Sequence, residues 1–132
     1  MTDFQTIADD IAFLDDWEDR YKYVIDLGRE LPEFDEAART EENRVRGCSS
    51  QVWLVAREDG DRLHFDGDSD AHIVKGLVAL LIALFSGKTR AEISAIDADA
   101  EFAKLDLAGH LSAQRANGLA SMVARIRQYA AD

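Results

Sequence analysis

Apolar residues first recur at helical spacing. Phe4, Ile7, Ala8, Ile11 and Leu14 fall on one face of a helix predicted over Asp3–Leu14, with Thr2 as its cap. Asp15 or Asp16 caps a second helix, where Trp17, Tyr21, Val24, Ile25 and Leu27 repeat at the same spacing until Leu31-Pro32 ends it. The polar stretch Glu33–Asn43 reads as an acidic loop with at most one helical turn. The period then shortens. Arg44-Val45-Arg46 is a short strand candidate, Gln51–Arg57 a second and Leu63-His64-Phe65 a third. Glu58-Asp59-Gly60-Asp61 supplies the turn of an antiparallel hairpin between the last two. From about Ala71 to Phe85 the chain is apolar nearly all round, which predicts a central core helix capped by Ser69 or Asp70. A short helix capped by Thr89 runs to about Ile96, another covers Asp99 to Lys104, and a last one opens at Ser112 or Ala113 and reaches about Ala130. Helices, a small antiparallel sheet, then helices predict an α+β fold with the helices packed on one face of the sheet.

Composition narrows the class. At 132 residues, 47% hydrophobic and 31% charged, the chain fits one domain (residues 1–132) whose core needs neither disulfide nor metal. The uncharged stretch Gly76–Gly87 is too short to span a bilayer, and the acidic start Met1-Thr2-Asp3 lacks the basic region of a secretory signal. A cytoplasmic location follows as the expectation, and a lone thiol suits a reducing compartment. The net charge of −11 is uneven: through Glu42 the chain carries 14 acids and four bases, and afterwards 12 acids and 11 bases. Such a surface repels nucleic acid and anionic membranes, so neither is expected as a partner. The acidic half is either a solvated face or a docking surface for a basic protein.

The candidate chemistry centres on the single cysteine, Cys48, within Arg44-Val45-Arg46-Gly47-Cys48-Ser49-Ser50-Gln51-Val52-Trp53. One thiol closes no internal disulfide and fills no four-ligand metal site. It is either an inert core hydrophobe or a nucleophile placed at a turn that Gly47 makes possible. Arg44 and Arg46 are solvated strand residues or, alternatively, cations that favour the thiolate. His64, His72 and His110 match no compact metal-ligand spacing, and no local signature supports a Cys–His hydrolase. Gly67-Asp68-Ser69-Asp70 is explained by helix capping, since its aspartates would repel a phosphate. Ser112 caps the last helix, Gly118 within it permits close packing, and Arg115 is either exposed or anion-facing.

Several segments together resemble the SufE family of sulfur-acceptor proteins: Trp17-Glu18-Asp19-Arg20-Tyr21, Ile25 through Pro32, Gly47-Cys48-Ser49-Ser50-Gln51-Val52-Trp53, Gly67 through Leu77, and His110-Leu111-Ser112 through Leu119. They span nearly the whole chain in the family's order, and the Gly-Cys-x-Ser-Gln-Val-Trp segment is the specific part. Ala113 departs from a proline common in the last motif. The resemblance implies a compact α+β fold similar to that of IscU-type scaffolds. It also implies that Cys48 accepts persulfide sulfur from a SufS-type cysteine desulfurase, stimulates that enzyme, and passes sulfur to a SufBCD-type scaffold for iron–sulfur cluster assembly. Gly47, Ser50, Gln51, Asp70 and Arg115 enter as supporting positions. No cofactor or metal is expected on this chain, since pyridoxal phosphate belongs to the desulfurase, and the chain is then a persulfide-carrying partner rather than an independent enzyme. A loop at Gly47–Ser50 is expected to tuck sulfur toward Val45 and Trp53. The alternative is a non-catalytic interaction module that docks through the acidic half with Cys48 incidental.

Overall fold

Phe4, Ile7, Ala8 and Ile11 bury the expected face of α1 (Phe4–Ala12), the first element of a computed structural model that describes residues 3–107 and 111–131. Thr2 lies outside the described residues, and Asp3 does the capping, its Oδ1 accepting from the Thr6 N–H at 2.8 Å. The helix stops at Ala12 rather than Leu14. In α2 (Trp17–Arg29) the cap is Asp16, whose Oδ1 accepts from the Glu18 N–H at 2.9 Å. A 3-10 turn at Glu36–Ala38 is the only helical piece of the acidic segment that follows.

The hairpin joins β1 (Val52–Asp59) to β2 (Arg62–Ser69), in register from Val52 opposite Ser69 to Asp59 opposite Arg62. The third strand is not the one expected. Arg44-Val45-Arg46 contributes only an isolated bridge between Arg44 and Trp53, because Gly47 turns the chain away with φ +90° and both arginines reach back to Glu41. Instead β3 (Lys88–Thr89) pairs with Arg62 and Leu63, and the sheet order is β1-β2-β3.

The central helix α3 (His72–Phe85) is apolar and buried as its composition requires. Its capping differs from expectation: Ala71 occupies the cap position without a side-chain bond, Ser69 ends β2, and Asp70 is engaged elsewhere. The chain finishes with α4 (Arg90–Ala95), opened by a reciprocal Thr89–Glu92 capping box, α5 (Ala98–Ala103) and α6 (Ala113–Ala131). Val52 and Leu54 of β1 and Leu63 and Phe65 of β2 are buried in the same core cluster as Leu77, Leu81 and Phe85, each side chain worth roughly 1.5–3 kcal/mol of transfer free energy. Helices α2 and α3 touch backbone to backbone. A Cβ on Gly76 would overlap the Val24 carbonyl, and one on Gly28 would lie 2.7 Å from the Gly76 nitrogen. No helix among the described residues is long and apolar enough to cross a membrane.

Candidate functional site

Residues 46–51 leave the body of the protein as a loop pinned at both ends. At its base, the Val45 N–H donates to the Val52 carbonyl at 2.8 Å and the Leu54 N–H donates to the Asn43 carbonyl at 3.0 Å. Arg125 of α6 donates to the Glu42 and Arg44 carbonyls, fixing the same base from the other side. On the far side of the loop the Gln51 N–H donates to Asp70 Oδ1 at 3.0 Å. Asp70 therefore acts as a clasp, not a helix cap.

The tip lies against α6, and small residues make the approach possible. Gly47 sits over Ser121 so closely that a Cβ would overlap the Ser121 hydroxyl, which donates to the Asn117 carbonyl at 3.1 Å. Next along the loop, Cys48 rests on Gly118, with Sγ 3.6 Å from the Gly118 carbonyl. Gly118 thus permits a close contact as expected, and the contact is with the thiol itself. The half-buried Cys48 lines a cavity of about 10 Å³ with Ser49, Ser50, Val74, Leu77, Gln114, Arg115, Gly118 and Met122. That volume is about one water-sized atom.

The electrostatics bear on the two readings of Arg44 and Arg46. Burial pushes the Cys48 thiol above its ordinary pKa, and the opposing pull of Arg44 does not overcome it. Arg46 is 72% exposed and its guanidinium lies 2.8 Å from Glu41, with Arg44 3.5 Å from the same carboxylate. The tucked thiol is held neutral, since a low-dielectric site disfavours the thiolate. The sulfur also does not face the residues expected: Val45 packs in the core and Trp53 lies under the Arg39 guanidinium at 5.0 Å. The apolar wall comes from Val74 and Leu77 of α3 and Met122 of α6, residues of two expected helices that nothing in the sequence aims at the loop.

Arg115 is the charged member of the cavity wall. Ser112 Oγ accepts its N–H at 3.2 Å, so Ser112 does cap α6, and the guanidinium donates to the Tyr21 hydroxyl at 3.3 Å. Tyr21, read from the sequence as a helix-face residue and part of a family-like segment but not as a site residue, packs against Trp17 with ring centroids 6.1 Å apart and so joins α2 to the site. Cys48, Ser50 and Arg115 therefore converge on the cavity, while Gly47, Gln51 and Asp70 shape the loop that carries the thiol. The remaining polar residues are structural. Asp68 receives Arg39 at 2.5 Å and Lys75 at 3.2 Å. His64 lies in β2 beside Asp59, His72 opens α3, and His110 is outside the described residues.

The protein is thus a three-stranded α+β domain whose only thiol sits on a clasped loop over a small cavity. The chain belongs to the SufE family, whose Fe-S metabolism associated domain matches residues 5–130. It is 58% identical to an uncharacterized SufE-like protein of Rhizobium meliloti, over 98% of this chain and 96% of that one. With a second uncharacterized SufE-like protein, from Rhizobium etli, the identity is 57% over 98% and 90% of the two chains. The solution structure of a hypothetical protein from Thermus thermophilus superposes with a TM-score of 0.78 over 97% of this chain and 93% of that one; at 16% identity this likeness concerns the fold alone. Family membership suggests a sulfur-transfer role in Fe–S metabolism.

Proposed function

We propose that the protein is a sulfur acceptor and carrier that takes persulfide sulfur from a SufS-type cysteine desulfurase onto Cys48, stimulates that enzyme, and delivers the sulfur to a SufBCD-type scaffold. The observation that carries this reading is the only thiol of the chain, held by a small clasped loop against a cavity sized for one further atom. A structural cysteine would be enclosed by its neighbours; this one is only half-buried and borders a small cleft. In the transfer, the Cys48 thiolate attacks the terminal sulfur of the donor persulfide. A new S–S bond forms to Cys48, the donor's S–S bond breaks, and the electron pair leaves with the donor thiolate. The Cys48 proton is lost before attack, which the tucked position opposes and a lifted loop favours, because leaving the cavity removes the burial that raises the pKa. After transfer the loop returns, and the added sulfur occupies the cavity, screened by Val74, Leu77 and Met122 from reducing thiols.

Intact-mass measurement tests this reading. Mixed with a SufS-type desulfurase and free cysteine, the protein gains one sulfur (~32 Da), the gain is absent in Cys48→Ser, and a thiol reductant removes it. A stable complex with an active desulfurase but no gain in mass overturns the carrier reading and leaves an interaction module.

A further inference from the structure

A second feature lies at the other end of α3 from the thiol. A groove of about 690 Å³ is floored by Leu31, Phe34, Phe65, Gly67 and Ile82 and runs beside β2 beyond the short β3 pairing. It shares no lining residue with the Cys48 cavity, and Val74 of that cavity is separated from Ile82 of the groove by ~12 Å of helix.

The ladder shows what the strand presents there. Val52 and Leu54 spend their outward groups on the 43–45 segment, so the alternate residues Trp53, Val55 and Arg57 bond to β2, opposite Asp68, Asp66 and His64. The odd-numbered residues of β2 therefore turn toward its other edge. Leu63 there accepts from the Gly87 N–H at 2.7 Å, and the Phe65 N–H is taken by Ser86 Oγ at 2.9 Å. Next along the edge are the Phe65 carbonyl and the Gly67 N–H, and neither has a partner among the described residues. Gly67 and Phe65 both line the groove, so the strand edge is open there to a further strand.

Charge at the rim points to the occupant. Asp3, Glu30, Glu33, Asp35 and Asp66 line the groove against Arg57 and Lys88, and Arg57 is already bound to Asp66 at 2.8 Å. Glu30 and Glu33 engage no cation among the described residues. We infer that this groove takes an extended segment of a partner protein carrying alternating apolar and lysine or arginine side chains. The segment adds a strand to the open edge of β2, seats an apolar side chain on the floor, and sets its cations against Glu30 and Glu33. Occupancy here leaves the thiol loop free, so this partner and a sulfur donor can be held together.

The test is a titration of the ¹⁵N-labelled full chain with an acetylated, amidated Lys-Val-Lys-Val-Lys peptide. The Gly67 amide is expected to shift downfield and exchange more slowly as it gains an acceptor, while alkylation of Cys48 is unchanged. Reversing the rim with Glu30→Lys and Glu33→Lys weakens binding roughly tenfold. Reversing Glu18 and Asp19 at the far end of α2 leaves it unaltered, and a Glu-Val-Glu-Val-Glu peptide gives no shift. The inference is overturned by no shift at ~1 mM peptide, by equal effects of the two peptides, or by largest shifts away from Phe65–Gly67. Gly67 shifts that follow protein concentration alone assign the edge to a second copy of this chain and also overturn it.

Discussion

Gly47→Ala is the substitution that most directly separates the tucked loop from the presented one. Gly47 has φ +90°, a backbone region that costs an L side chain about 1–2 kcal/mol. Its new Cβ would also overlap the Ser121 hydroxyl, a short side chain with little room to yield. Both penalties exist only while the loop lies on α6. Lifting the tip relieves them at the expense of the Cys48–Gly118 contact, so the strain shifts a local equilibrium rather than unfolding the domain. At 1.4 kcal/mol per factor of ten, the backbone term alone multiplies the lifted population by roughly 5 to 30.

Because Cys48 is the only cysteine, thiol alkylation by iodoacetamide reads this loop and nothing else. The rate at neutral pH is expected to rise by about the same 5- to 30-fold factor, since reaction requires the accessible, deprotonated thiol. The pH profile should move as well. Burial raises the tucked thiol's pKa, so the variant's alkylation midpoint lies below that of the native protein. Restoring space with Ser121→Gly in the Gly47→Ala background removes the overlap but not the backbone penalty, and should recover part of the effect. An alkylation rate and midpoint both unchanged in Gly47→Ala, with the fold intact, would refute the tucked-loop argument.

Asp70→Ala removes the acceptor of the Gln51 N–H, and that amide should exchange roughly fivefold faster, consistent with about 1 kcal/mol for one hydrogen bond, while core amides are unaltered. Asp68→Asn leaves Arg39 and Lys75 facing a neutral group in a nearly buried position, and urea titration at neutral pH should show a loss of about 2–3 kcal/mol. Burial pushes the Asp68 carboxyl up, but bonds from Arg39, the Ser69 N–H and Lys75 together hold it below its ordinary 3.8. Its contribution is therefore full above pH ~4 and lost as pH falls through the lower folded value, so the variant should show a weaker acid dependence below pH ~4 than the native chain. Gly76→Ala would gain helix propensity in isolation, yet overlap with the Val24 carbonyl should make the protein less stable by about 1–3 kcal/mol in urea titration.

The sequence made the fold legible wherever one period ran long enough. The faces of α1, α2 and α3, the β1–β2 hairpin and the last helix all follow from spacing, and the motif around Cys48 located the loop. Three things depended on contacts distant in the chain. Arg44–Arg46 looks like a strand because its residues alternate, yet Glu41 and the turn at Gly47 decide otherwise. Asp70 has the chemistry of a cap, but an amide 19 residues earlier competes for it successfully. The thiol's surroundings were the least legible part. Leu77 reads only as core, Val74 and Met122 carry no signal of their own, and which of these residues border the thiol is set by how α3 and α6 pack.

The same packing bears on why the thiol sits on a loop and not on a strand or helix. A thiol fixed on a regular element has one environment and one pKa. The carrier reading asks for two: a neutral, screened sulfur between encounters and a reactive, reachable one during them. Residues 46–51 meet both needs because their ends are fixed by Arg125, the Val45–Val52 bond and Asp70, while the tip is held by little more than Gly118 and the fit of Gly47. A tip bound through large apolar side chains would expose them on lifting and resist release; glycine against serine exposes almost nothing. The raised thiol pKa follows from that arrangement. On the carrier reading, it suppresses reaction with chance electrophiles at rest and is relieved in a lifted loop. That reading makes binding and activation one event, so it predicts that alkylation of Cys48 speeds up in the presence of a sulfur donor protein.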